Sequence, residues 1–201
     1  TQLFAQAITW YKEYAFLNGT GAAASMPLGI ISAPATVVVT KTTASKFKFA
    51  DAANMMSKLH VRSWDDACWI MHPSLLEQVI QMGDTSVSAP GTAGQHLTWL
   101  PAFDQPATQK MPKVFLNALP IFWTEKVPQL GSKGCACLVD WSRYVIGNRL
   151  DYQIDVSPHF LFRNNQLAWR VIARCDGKPW LNAAITDANG YVSSPFVVLS
   201  A

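Results

Sequence analysis

Pro120-Ile121-Phe122-Trp123-Thr124-Glu125-Lys126-Val127-Pro128 opens the half of the chain that decides the fold. It leads through Leu130-Gly131 to Val139-Asp140 and Tyr144-Val145-Ile146-Gly147. Val156-Ser157-Pro158-His159-Phe160, Gln166-Leu167-Ala168-Trp169-Arg170 and Asp176-Gly177-Lys178-Pro179-Trp180 follow. Apolar and β-branched runs bounded by Gly, Pro, Asn and Asp read as strands separated by turns. Such runs lie at Val114-Phe115, Pro120 to Phe122, Cys135 to Val139 and Tyr152 to Val156. The clearest is Leu167 to Cys175, where Leu167, Trp169, Val171, Ala173 and Cys175 alternate with Ala168, Arg170, Ile172 and Arg174. A period of two puts the first set on one face, which predicts a core side with Trp169 buried in it. Asp176-Gly177 and Asn189-Gly190 are expected as hairpin turns, because both central positions of that turn need positive φ. The carboxyl end then reads as a β meander.

Working outward, the amino end reads as an amphipathic helix. Leu3, Phe4, Ala7, Ile8, Tyr11 and Tyr14-Ala15 recur at three- and four-residue spacing until Asn18-Gly19 stops it. A second helix carries Ala52, Met55, Met56 and Leu59 on one face, with Asp51 or a neighbour as its cap. A third carries Leu75-Leu76 and Val79-Ile80, with Pro73 at its first position and Gly83 as its stop. Between them, Ala67-Cys68-Trp69-Ile70-Met71 is short, apolar and bounded by turn residues, and reads as a buried strand. Gly83 to Lys110 has neither period and is rich in Ser, Thr, Ala, Gly and Pro, yet holds Trp99, Leu100 and Phe103. Structureless loops beyond about 12–15 residues are usually functional.

The composition narrows the class. Only 14% of the 201 residues are charged, against roughly 25% in an ordinary soluble domain, while half are apolar and 8 are Trp. No stretch approaches the roughly 20 apolar residues of a spanning helix. A surface short of charge therefore points to large oligomeric contacts. The net charge of +3 comes from 16 scattered Lys and Arg that form no basic run, which argues against dedicated nucleic-acid recognition. No secretion signal is visible at the amino end. Four Cys in so long a chain are no disulfide framework and read as reduced thiols.

The order of short motifs from Pro120 to Trp180 resembles that of the major capsid proteins of tailed bacteriophages, the Hong Kong phage capsid fold that encapsulins share. Upstream, Ala15-Phe16-Leu17-Asn18-Gly19-Thr20-Gly21 followed by Pro27-Leu28-Gly29-Ile30 is similar to the family's helix end and glycine-rich turn. The resemblance implies an α+β fold with an axial domain and a discontinuous peripheral domain with long β-strands and a spine helix. Residues 1–20 would be the end of the spine helix, 21–147 the axial domain and 148–201 the peripheral β-sheet. It implies a shell protein, not an enzyme, assembling in the host cytoplasm into the pentamers and hexamers of a virion capsid. The partners implied are itself, portal, scaffold and decoration proteins, and packaged double-stranded DNA held non-specifically, with no membrane and no cofactor. An encapsulin-like bacterial compartment is the alternative. Against the family pattern the chain opens inside the spine helix, without the arm and extended loop, so a shortened form that stays a monomer or small oligomer is expected. Trp99, Phe103, Arg170 and Arg174 are the candidate intersubunit contacts. Arg170 and Arg174, four apart on a strand, share a face about 13 Å long that suits a neighbour's carboxylates.

Chemical motifs give little support to catalysis. Gly19-Thr20-Gly21-Ala22-Ala23-Ala24 follows a helix, whereas a dinucleotide loop needs a preceding strand. A helix stop and turn is the better reading. Cys68 with His72 is a candidate nucleophile and base, but a thiol in an apolar strand is raised in pKa and inert. Cys135 and Cys137, expected on one strand face, together with His60, His96 or His159, lack the four converging ligands of a closed zinc site. Asp65-Asp66 reads as a solvated pair.

Overall fold

The computed structural model describes residues 2–80, 115–116 and 119–200. Helix α1 (Gln2–Asn18) is followed by strand β1 (Val37–Val39), helix α2 (Phe49–Lys58), β2 (Ala67–Met71) and α3 (Leu76–Ile80). Then come β3 (Phe115–Leu116), β4 (Leu119–Trp123), β5 (Ala136–Asp140), β6 (Tyr144–Leu161), β7 (Gln166–Pro179), β8 (Ile185–Thr186), β9 (Val192–Ser193) and β10 (Phe196–Leu199).

Six strands form one mixed sheet in the order β1-β10-β5-β2-β4-β3. β2 is antiparallel to β5 and parallel to β4, and β10 is antiparallel to β5 and parallel to β1. The three central strands are near-continuous apolar runs because both sheet faces are covered. Ala67, Trp69 and Met71 of β2, Ala136 and Leu138 of β5, and Val197 and Leu199 of β10 join Ala52 and Met55 of α2 and Leu59 just after it in one core. The alternate residues Cys68, Ile70, Cys137, Val139, Phe196 and Val198 join Leu17, Ile30, Ile31, Val127 and Tyr144 in a second. Trp69 is fully buried, and its indole N–H donates to the Leu116 carbonyl at 3.1 Å.

The helix ends follow elementary rules. Asp51 is the third residue of α2, and its carboxylate accepts from the Lys48 N–H at 2.9 Å and the Thr42 N–H at 2.8 Å. Pro73 opens the single 3-10 turn that leads into α3, and the His72 ring nitrogen accepts from the Ser74 N–H. Gly83, the expected stop, lies outside the described residues. α1 ends where the Gly19 N–H bonds the Ala15 carbonyl at 2.8 Å, and Gly29 packs backbone to backbone against that end.

β6 and β7 form a separate two-stranded antiparallel ribbon. Here the structure differs from the sequence expectations in four respects. Asp176-Gly177 is no turn: it lies within β7, paired with Gly147 and Ile146. The chain reverses instead at Phe162–Asn164, where Asn165 takes a left-handed φ of 50°. Asn189-Gly190 does turn the β8–β9 hairpin, but only Gly190 has positive φ, and Asp187 organises the loop by accepting from the Asn189 and Tyr191 N–H groups. The last strand is not part of a carboxyl-terminal meander, since β10 lies inside the six-stranded sheet. Residues 148–201 are therefore not one sheet: 148–179 belong to the ribbon, and 196–199 to the same sheet as β1 to β5.

The largest difference concerns Trp169. The alternation predicted from sequence is present, for Trp169 opposes Val156 and Val171 opposes Ile154 on one face of the ribbon. Among the described residues no second layer buries that face, however: Trp169 is 52% and Leu167 60% exposed. The expected buried core of the outer sheet does not form among the described residues, because period reports which residues share a face, and not what lies against it.

Candidate assembly interface

The surface that stands out is built at the root of the ribbon. Leu28 N–H donates to the Gly177 carbonyl at 2.8 Å, and the Tyr144 hydroxyl donates to the Leu28 carbonyl at 2.9 Å. Phe16 of α1 meets Tyr144 edge-on, with ring centroids 5.7 Å apart. Farther along the helix, Lys12 reaches the Tyr152 hydroxyl at 3.1 Å. On its other side α1 is tied to the segment after β4: Trp10 donates to Glu125 at 3.1 Å, Glu13 pairs with Lys126, and Asn18 donates to the Lys126 carbonyl at 2.6 Å. Glu125 is held below the usual carboxylate range by its own backbone N–H and by Trp10. Helix and ribbon thus leave the sheet from one anchored joint.

Beyond the joint the ribbon has two unlike faces. One pairs Arg170 with Asp155, Ile172 with Gln153 and Ala168 with Ser157. The other carries Leu167, Trp169 and Val171 of β7 opposite Ile154 and Val156 of β6, none of them charged. Leu167, Trp169, Val156 and Ile154 are all exposed. α1 adds a second uncovered apolar surface, with Leu3 80% and Tyr11 68% exposed. Isolated two-stranded ribbons are marginal in water. Apolar patches of this kind mark contact sites.

The sequence-predicted contacts are distributed as follows. Arg170 is engaged within its own ribbon, its Nη2 2.6 Å and its Nε 3.1 Å from Asp155 Oδ2. That hydrogen bond holds the Asp155 carboxyl below its usual range. Arg174 lies exposed opposite Leu150. Trp99 and Phe103 lie outside the described residues, as does His96. The Trp169 face, which sequence reasoning assigned to a core, is exposed in the structure. The combination of a long amphipathic ribbon with unusually low chain charge was the available signal.

The candidate chemical residues are dispersed through the fold. Cys68 lies buried in β2, and burial pushes its thiol up to about 11 despite a hydrogen bond from Trp141. His72 is occupied in capping. Cys135 and Cys137 do not share a face: the first belongs to the α2-side core and the second to the α1-side core. Burial raises both thiols. His60 accepts from the Arg62 N–H, His159 is exposed, and Asp65 and Asp66 face solvent. Among the described residues, no three His, Cys, Asp or Glu gather as a metal site would require.

The family model of the phage capsid family matches residues 1–189. The chain belongs to the phage capsid family. Solved structures agree on the fold. The capsid of an empty GTA particle matches all of this chain and 65% of its own, with TM-score 0.68 and 16% identity. The Mycobacterium phage Bobi structure matches 97% of this chain and 61% of its own, with TM-score 0.58 and 15% identity. The holo-SrpI encapsulin complex from Synechococcus elongatus gives TM-score 0.52 and 14% identity over 99% of this chain and 63% of its own. This capsid-family chain therefore spans somewhat under two thirds of the length of those proteins. No curated protein sequence matches it. Its fold is the mixed α and β Hong Kong phage capsid fold, as the motifs from Pro120 to Trp180 implied.

Proposed function

We propose that this protein is the major shell subunit of a tailed phage or prophage, assembling through repeated self-contact into pentamers and hexamers around double-stranded DNA. The observation that carries the proposal is the long ribbon whose apolar face, among the described residues, stands exposed. Burying such a face needs a partner, and in a closed shell that partner is another copy. The six-stranded sheet with its helices is the axial unit, and α1 with the β6–β7 ribbon is the peripheral unit. No step of catalysis is assigned to Cys68 or His72. Assembly in the host cytoplasm, portal, scaffold and decoration partners, and roles for Trp99 and Phe103, belong to the same proposal on the strength of the sequence alone.

The encapsulin-like reading keeps its place because the fold is shared with the SrpI shell. Electron microscopy of the complete gene product, purified from its natural source, separates the two. Icosahedral shells filled with DNA support the capsid reading, and shells enclosing an enzyme support the compartment. A complete product that remains monomeric at high concentration and with its natural partners overturns both.

A further inference from the structure

Asp176-Gly177 has the composition of a turn, yet it lies inside β7 opposite Gly147 and Ile146. Glycine within a strand marks a place that another group approaches closely. At Gly177 that group is a pair of aromatic rings. An added Cβ would lie 2.8 Å from both Cε1 and the hydroxyl oxygen of Tyr144, and 3.0 Å from Phe16 Cε1. Tyr144 opens β6 opposite Pro179, so Gly177 is its diagonal neighbour on the same face of the ribbon. The Tyr144 ring is held on three sides: Phe16 meets it edge-on at 5.7 Å, Trp141 does so at 5.6 Å, and its hydroxyl donates to the Leu28 carbonyl at 2.9 Å. The Leu28 N–H in turn holds the Gly177 carbonyl at 2.8 Å. α1, which supplies Phe16, is fastened on its other side to Glu125 and to the Lys126 carbonyl. These contacts aim the ribbon, and they close only because position 177 carries no side chain.

Resting on the shell reading above, we propose that Gly177 is a positioning residue that sets the angle between ribbon and sheet, and through that angle the curvature of the shell. Copies that meet through two units of a rigid subunit close into rings only at the rotation which the angle between those units allows. A Cβ at position 177 must move β7 by about 1 Å to reach ordinary contact with the rings. From Gly177 to Leu167 the strand runs about 33 Å, so a tilt pivoting at the root multiplies that offset toward the far end.

The test uses the complete gene product and electron microscopy of its shells. Gly177→Ala is expected to shift the shells to a second diameter or to unclosed sheets, while Gly147→Ala keeps the parent diameter. Gly147 pairs with Asp176 in the same root, but nothing described lies within 4 Å of its Cβ position and its φ is not positive. Parent-sized shells from Gly177→Ala, or equal shifts from both variants, overturn the proposal. A spin-label distance reads the angle apart from the shell. With Cys175→Ser removing the partly exposed thiol of the ribbon, labels go at two exposed positions, Asn54→Cys on α2 and Arg163→Cys at the far end of the ribbon. Their separation should shift by several ångströms in unassembled Gly177→Ala subunits and stay at the parent value in Gly147→Ala. An unchanged separation in Gly177→Ala overturns the proposal even where assembly is lost. If Gly177→Ala yields no folded subunit, Tyr144→Phe, which removes only the bond to Leu28, takes its place. A broadened label distribution in that variant supports the joint, and one as narrow as the parent's overturns it. If the unsubstituted product forms no shells, the shell reading fails, and the label separation still decides whether Gly177 aims the ribbon.

Discussion

Two tryptophans on alternating strands show how much position outweighs residue type. Trp69 is fully buried and its N–H is satisfied by Leu116, so Trp69→Ala is expected to cost on the order of 3–5 kcal/mol by cavity formation and lost burial. Trp169→Ala, half open on the ribbon, is expected to change the stability of the isolated chain by less than about 1 kcal/mol. Chemical denaturation of both variants checks the contrast, and similar losses would mean that the ribbon face is covered within the chain. A pH dependence belongs to this scale too. The Cys68 thiol has an ordinary value of 9.0 and is raised to about 11 in the fold, by burial first and by the Asp140 charge last. The unfolded thiol therefore ionises before the folded one. Stability is fully present below pH 9.0 and lost as pH rises through about 11. Burial raises Cys135 and Cys137 as well, so they add to the same alkaline loss. Melting temperature followed from pH 8 to 11 should fall, and Cys68→Val should flatten the fall; an unchanged slope would show that the Cys68 thiol is solvated.

At the scale of elements, the joint between α1 and the glycine-rich turn depends on backbone approach. A Cβ on Gly29 would lie 2.5 Å from Gly19 N and 2.6 Å from Leu17 O. Neither neighbour is a flexible side-chain end, so Gly29→Ala should cost roughly 1–3 kcal/mol. Gly131→Ala is a useful contrast, because nothing lies within 4 Å of its Cβ position and only its φ of 103° resists the change. Thermal melts that rank Gly131→Ala as the more damaging would contradict the tight joint. The ribbon should also differ from the sheet in local stability. β2, β5 and β10 are paired on both sides and buried on both faces, whereas β6 and β7 pair only with each other along most of their length. In the isolated chain, amide exchange should be far slower in the central strands than across Leu167 to Cys175. Equal protection would show a ribbon stabilised independently of any partner.

For the molecule as a whole, assembly should reverse that difference. Once the ribbon face is covered, exchange across Leu167 to Cys175 should slow in the shell relative to the isolated chain. Unchanged exchange there would remove the ribbon from the interface while leaving the family assignment untouched.

What the sequence determined by itself was local. The apolar run Ala67 to Met71, the stop at Asn18-Gly19, the alternation of Leu167 to Cys175 and the Gly190 turn are fixed by neighbouring residues, through backbone sterics and side-chain period. The motif order from Pro120 to Trp180 carried the family, and hence the fold. Tertiary structure decided what the local code does not contain. Asp176-Gly177 has the composition of a turn, yet pairing with Ile146 and Gly147 keeps it extended, since a ladder of main-chain hydrogen bonds overrides a weak local preference. Phe196 to Leu199 follow the β8–β9 hairpin in sequence, but both of their faces are apolar and can be buried only between β1 and β5. Trp169 has a face fixed by period, while its burial depends on which surface comes to lie against it, and among the described residues it is left half exposed.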